Sequence, residues 1–282
     1  MSLDYLKLKK SFPSMVYFFS RRQKFLSAFF AVLLIFAFSS VNFAQEEDEN
    51  TQNAIKLFNQ GQDAHEKNDF QTALKFYDEA LKLFPEFPEA ELQRGNALLS
   101  LNKSDEAEKS FRRALELRED WSLPMTNLGA LLVEKGEFAE AETLLTKAIA
   151  QDGANFLAYS ALTDLRLRTK ARAEILKELL NKLKILTTQA RATASVWASR
   201  AALENALGNR ADAKTSLNRA LAIDAKNKNA LLELSEIALA EGDNTGALQI
   251  AQNLQKNCAE FAFRQNAFCP RPCRQRKNSR SD

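Results

Sequence analysis

Small residues recur every 34 positions in this chain. Gly61, Gly95 and Gly129 keep that spacing, as do Ala73, Ala107 and Ala141, and again Ala80, Ala114 and Ala148. Tyr77, Phe111 and Leu145, all large and apolar, keep it too, and Gly208/Gly242 and Ala213/Ala247 resume it later. A sequence that repeats at this period builds a stack of like units, each unable to bury its apolar face alone. Glycine (8) and proline (6) among 282 residues are too scarce for a collagen-like or broadly disordered chain.

Each unit reads as two short amphipathic helices. In the first, the pattern predicts helices over 54–67 and 70–83, with Asn68-Asp69 as turn and N-cap and Pro85 stopping the second helix. Gly61 and Ala73 remove bulk where the two helices cross, and Ala80 does the same against the next unit. Leu57, Phe70 and Tyr77 fill the layers around them.

These units resemble tetratricopeptide repeats, whose pattern sets an aromatic or Leu, Leu-Gly, Ala, an aromatic, Ala and Pro at fixed offsets. Unit 1 (54–87) carries Leu57, Gly61, Ala73, Tyr77, Ala80 and Pro85. Unit 2 (88–121) carries Gly95, Ala107, Phe111 and Ala114, with Glu119 in place of the proline. Unit 3 (122–155) carries Leu128, Gly129, Gly136, Phe138, Ala141 and Ala148. Unit 5 (194–227) carries Trp197, Ala201, Gly208, Ala213 and Ala220, and unit 6 (228–261) carries Leu231, Leu234, Gly242 and Ala247. The resemblance implies an all-α, right-handed α-solenoid of five to six stacked helix-turn-helix repeats.

Residues 156–193 depart from the pattern. They contain no glycine, and Thr163 takes the glycine position. Leu176, Leu179, Leu180, Leu183 and Leu186 form a helical stripe, so this stretch reads as a degenerate repeat with a longer second helix, or as a break between solenoids 54–155 and 194–261.

In the family that these units resemble, the first helix of each repeat lines a concave face where peptides commonly bind. The resemblance implies a lining of Phe58, Asn59, Gln62 and His65, then Leu92, Gln93, Asn96 and Leu99, then Thr126, Asn127, Ala130 and Val133. Carboxamides donate and accept at once, so Asn59, Gln62, Gln93, Asn96 and Asn127 suit an extended peptide backbone. Asn96 and Asn127 stand where the family's backbone-binding asparagines stand. Members that grip a C-terminal carboxylate use Lys and Arg on successive first helices. Here those positions hold Phe58, Leu92, Leu123 and Asn127, so an acidic tail is not the expected ligand.

Charge divides the chain. Residues 1–44 and 262–282 each carry +5, while 45–261 hold 27 basic and 34 acidic residues. The folded body therefore offers no overall basic face, and no nucleic-acid partner is expected. Within it, residues 45–165 carry −12 and residues 166–191 carry +6. The basic stretch reads as a solvated face or as a docking helix for an anionic surface.

Arg21, Arg22 and Lys24 precede the apolar run Ala28–Phe38, with looser apolar character over 25–44. This is the pattern of a secretory signal cut after Ala44, or of a retained membrane anchor over 25–44. Either places the folded body on the non-cytoplasmic side, periplasmic or extracellular. Residues 45–53 read as an acidic linker. The abrupt shift at 262–282, with Cys269 and Cys273 after Cys258, predicts a basic disordered tail.

A single histidine, His65, and three clustered cysteines leave no metal-ligand set. No nucleophile elbow or phosphate-binding glycine loop is present. No catalytic residue and no cofactor is assigned. The reading is a scaffold or adaptor at the cell envelope that captures a protein segment in its groove. A passive spacer or oligomerising solenoid is the alternative, and an enzyme a remote one. The oligomeric state is not fixed by the sequence.

Overall fold

A computed structural model describes residues 49–189 and 192–264, and every regular element among them is helical. Six consecutive helix pairs follow one another. They are α1 (49–66) with α2 (Phe70–Leu83), α3 (Pro88–Ser100) with α4 (Ser104–Leu117), and α5 (Ser122–Lys135) with α6 (Phe138–Gln151). Then come α7 (Phe156–Arg168) with α8 (Ala173–Leu186), α9 (Ala194–Ala206) with α10 (Arg210–Ile223), and α11 (Lys228–Ala240) with α12 (Asn244–Arg264). The fold is an all-α repeat solenoid. The proposed signal or anchor, the start of the acidic linker and most of the tail lie outside the described residues. Two boundaries move: α1 begins at 49, inside the expected linker, and α12 runs on to Arg264.

Side-chain caps start three of the helices. The Asp69 side chain accepts from the Thr72 N–H at 3.2 Å, capping α2. Asn155 and Asn227 cap α7 and α11 in the same way, at 2.9 and 3.0 Å. The turn inside each pair is set by one left-handed residue: Asn68, Asn102, Gly136, Lys170, Gly208 and Gly242 all have positive φ. The first four are 34 apart, and the step from Lys170 to Gly208 is longer because unit 4 holds extra residues.

Glycine on a first helix makes room for the large residue of its own pair. A Cβ on Gly61 would sit 2.5 Å from Tyr77 Cε1, and one on Gly129 would sit 2.8 Å from Leu145 Cγ. Gly95 faces Phe111 in the same manner. Tyr77, Phe111 and Leu145 are fully buried, as are Ala73, Ala80, Ala107, Ala114, Ala141, Ala148, Ala213 and Ala220. Trp197 is only partly buried; it packs against the last core cluster with the Arg200 guanidinium over its ring. Trp121 stands at the N-cap position of α5, without a side-chain capping bond, and carries the Arg118 guanidinium at 4.6 Å from its ring.

Unit 4 continues the stack. Its second helix, α8, is 14 residues long, the same as α2, α4, α6 and α10, and not the longer helix expected from the sequence. Most of the added length lies in the connection 187–193. The five leucines of α8 are buried in the core cluster that runs from Leu92 to Leu203. With Thr163 where units 1–3 have glycine, and leucine bulk on α8, the backbones of α7 and α8 approach each other less closely than those of α3–α4, α5–α6, α9–α10 and α11–α12.

Two half-buried arginines tie polar side chains together within this core, whereas the buried Tyr77 hydroxyl has no hydrogen-bond partner among the described residues. Arg94 donates to Asp78 on α2 and to Ser110 on α4, both at 2.6 Å. In unit 5 the equivalent Arg200 donates to Thr187 at 2.9 Å and to Glu204 at 2.8 Å. Glu204 is completely buried, and its other oxygen accepts from Ser216 at 2.6 Å. Outside, Lys135 on α5 bonds Asp105 and Glu108 on α4, and Arg112 joins Glu108 to Glu140 on α6.

The packing fixes which layer is inside. First helices approach one another along α5, α7, α9 and α11, whereas successive second helices stay farther apart. The stack therefore curves with its first helices on the inner side.

Candidate ligand-binding face

Four positions on each first helix, at steps of four, three and four, share one helical face. On α1 they are Ile55, Asn59, Gln62 and Glu66; on α3, Glu89, Gln93, Asn96 and Ser100. On α5 they are Leu123, Asn127, Ala130 and Glu134; on α7, Leu157, Ala161, Asp164 and Arg168. Ser195, Ser199, Ala202 and Ala206 follow on α9, and Asn229, Glu233, Glu236 and Ala240 on α11. None of these residues is buried, although core residues flank them on every helix. This stripe is the inner face.

Three of the five carboxamides singled out from the sequence come together on it. Asn127 Nδ2 on α5 donates to Asn96 Oδ1 on α3 at 2.8 Å, and Asn96 Nδ2 donates to Gln93 Oε1 at 3.2 Å. The Asn127 carbonyl oxygen and the Gln93 amide group are left without a protein partner among the described residues. Asn59, exposed, and Gln62, half-buried, lie on α1 and are not part of this chain.

Three expected lining residues are instead structural. Leu92, Thr126 and Val133 are buried, at 4%, 0% and 1% exposure. Each lies one position to the core side of the exposed stripe, and family offsets do not resolve that step. Thr126 donates to the Ser122 carbonyl at 2.7 Å and accepts from Asn155 Nδ2 at 2.8 Å, locking α5 to the cap of α7. Phe58 and Leu99 are partly buried against the core. His65 also leaves the groove. Its ring stands edge-on to Phe70 at 5.1 Å, in an aromatic cluster with Phe58, Tyr77, Phe84 and Phe87. Its buried Nδ1 has no partner, and burial lowers its pKa.

One polar link was missed. Asn205 Nδ2 on α9 donates to Glu233 Oε1 on α11 at 2.7 Å. Burial holds the Glu233 carboxyl above the usual carboxylate range; the Asn205 hydrogen bond opposes this and the nearby Glu236 charge adds to it. Glu233 occupies in unit 6 the place of Asn127 in unit 3, so alignment of the weak last unit was the available signal.

The basic stretch is partly neutralised. Arg166 pairs with Glu142, Arg168 with Asp164 and Lys182 with Glu178. Among the described residues no group of three or more His, Cys, Asp or Glu is placed to hold a metal ion. No helix among them is long and apolar enough to cross a membrane.

Comparison with known proteins agrees with this architecture. Tetratricopeptide repeat family models match residues 58–124, 125–150 and 198–260. Protein STIP1 homolog of Dictyostelium discoideum is 32% identical over 121 residues, 43% of this chain and 22% of that protein. Human Tetratricopeptide repeat protein 6 is 26% identical over 165 residues, 57% of this chain and 31% of that protein. The chain thus spans under a third of the length of these curated relatives. Among solved structures, the APC/C hetero-tetramer Cut9–Hcn1 superposes with a TM-score of 0.62 at 16% identity, over 73% of this chain and 40% of that one. PilW, a type IV pilus biogenesis factor, superposes with a TM-score of 0.59 at 20% identity, over 76% of this chain and 96% of that one. The family models together cover more than half of the 282 residues, and the protein belongs to the tetratricopeptide repeat family.

Proposed function

We propose that this protein is a scaffold that captures an extended segment of a partner protein on its inner face, outside the cytoplasm. Tetratricopeptide repeats mediate protein–protein interaction. The observation that carries the reading is the hydrogen-bonded chain Asn127–Asn96–Gln93. It joins two repeats on an unburied face and leaves one acceptor and one amide donor group at its ends. That is what a peptide backbone needs from a surface, since each of its residues presents one donor and one acceptor. The location is supported by the sequence alone, through Arg21, Arg22 and Lys24 followed by Ala28–Phe38.

The test is paired capture. The full-length chain and an Asn96→Ala/Asn127→Ala variant are compared as baits in native envelope extract. A partner held by the first and lost by the second, at equal helicity, supports groove capture. A partner held equally by both moves the binding surface elsewhere, and a chain found only in the cytoplasmic fraction overturns the location.

A further inference from the structure

The geometry points to a partner segment that is basic and aliphatic. The inference rests on the reading of the inner face as the binding surface, and it names the chemistry that this face selects.

The inner face is laid out in lanes. At the N-terminal edge of the first helices stand Ile55, Leu123 and Leu157, exposed at 46%, 51% and 52%. Leu123 and Leu157 hold the same register on α5 and α7, which pack directly against each other, so they make one apolar step. The carboxamides occupy the middle. Toward the C-terminal edge lie Glu66 on α1 and Glu134 on α5, both exposed. Glu233 and Glu236 carry the same charge onto α11.

Glu66, Glu134, Glu233 and Glu236 have no cationic partner among the described residues, while the other carboxylates of the face do. Glu89 is paired with Arg118 and Asp164 with Arg168, which removes the single cation of the stripe. Glu66 and Glu134 also sit in the last turn of their helices, where the backbone dipole is already negative. A carboxylate is disfavoured there on its own account, and an incoming cation relieves both charges at once. Glu233 is partly desolvated before anything binds.

An extended segment lying across the helices projects successive side chains to opposite sides. With its backbone on the carboxamide lane, one set of side chains meets the leucines and the other meets the carboxylates. Aliphatic residues satisfy the first lane and Lys or Arg the second. An acidic segment would meet like charge along the same face.

A phage-displayed library of random twelve-residue peptides, selected on the immobilised full-length chain, tests this. The expected result is enrichment of sequences with net positive charge and recurrent Leu, Ile or Val. A synthetic peptide of that kind should bind about tenfold more weakly to Glu134→Gln/Glu233→Gln, with a shallower salt dependence. It should also weaken about tenfold on Leu123→Ser/Leu157→Ser, at unchanged circular dichroism. All four positions are partly or fully exposed, so the variants keep the fold. Acidic or uncharged enriched sequences that still need Asn96 and Asn127 would overturn the partner chemistry and leave groove capture standing. Enriched sequences indifferent to all of these variants, or no enrichment at all, would overturn both.

Discussion

Gly61 on α1 and Tyr77 on α2 fit together so closely that the glycine has no room for a side chain: a Cβ there would lie 2.5 Å from the ring. Gly61→Ala is expected to destabilise the protein by about 1–3 kcal/mol through overpacking. Tyr77→Leu in the same molecule should recover part of that loss, because Leu145 already plays this part opposite Gly129. Urea unfolding of the two single variants and the double variant measures it. Additive losses would mean that the two residues do not share the strain.

Lys170 holds the left-handed turn position that glycine holds in units 3, 5 and 6. Lys170→Gly removes the steric cost of a Cβ at positive φ and is expected to stabilise unit 4 by up to about 1 kcal/mol. A raised unfolding midpoint with unchanged helicity is the expected reading; a lowered one would show that the Lys170 side chain contributes more than its backbone costs.

Glu204 is kept in the core by Arg200 and Ser216. Arg200→Ala leaves a buried carboxylate without its cation and should cost about 3–5 kcal/mol. It also cuts the bond to Thr187 at the end of α8, so amide exchange should rise first in α8 and α9. Uniform exchange across all repeats would contradict a local role.

Thr126 separates packing from recognition. Thr126→Val strands the Asn155 amide and should cost about 1–3 kcal/mol, yet leave ligand capture intact at temperatures where the fold persists. Asn127→Ala, one residue away on the unburied stripe, should do the reverse. Both are read by thermal unfolding alongside the capture assay.

His65 sets a pH dependence. Its folded pKa is lowered by burial, so the native state binds fewer protons than the unfolded chain just below the ordinary histidine value. Stability is therefore held above about pH 6.5 and lost as the pH falls through the folded value. Burial raises Glu91 and Glu233, and these act in the opposite direction. The comparison is therefore the difference between the wild type and His65→Phe. The wild type should lose more stability between pH 7.5 and 5.5 than the variant does, and equal losses would remove His65 as the cause.

The stack was legible because its geometry rests on side-chain size. Gly61, Gly95 and Gly129 opposite Tyr77, Phe111 and Leu145 write the crossing of the first three helix pairs directly into the chain. What stayed hidden depends on neighbours rather than residue type. Glu204 looks like any surface carboxylate, yet it stands at the register of the buried Leu98 in unit 2. Lys170 gives no sign of a left-handed backbone. Leu92, Thr126 and Val133 were placed in the groove by family offsets, one step from the residues that actually stay unburied. The leucines of α8 marked its apolar face correctly, but an apolar stripe does not say where a helix ends.

The separation of α7 from α8 changes how unit 4 is joined to the stack. The inner layer runs unbroken through α5, α7, α9 and α11 and acts as a spine. In the flanking units the outer helix packs closely on its own partner in that spine, whereas α8 packs on α9 of the next unit more than on its own partner α7. Unit 4 is thus tied forward to unit 5 rather than closed on itself, with the five leucines of α8 buried beside Val196 and Leu203 of α9 in one continuous core.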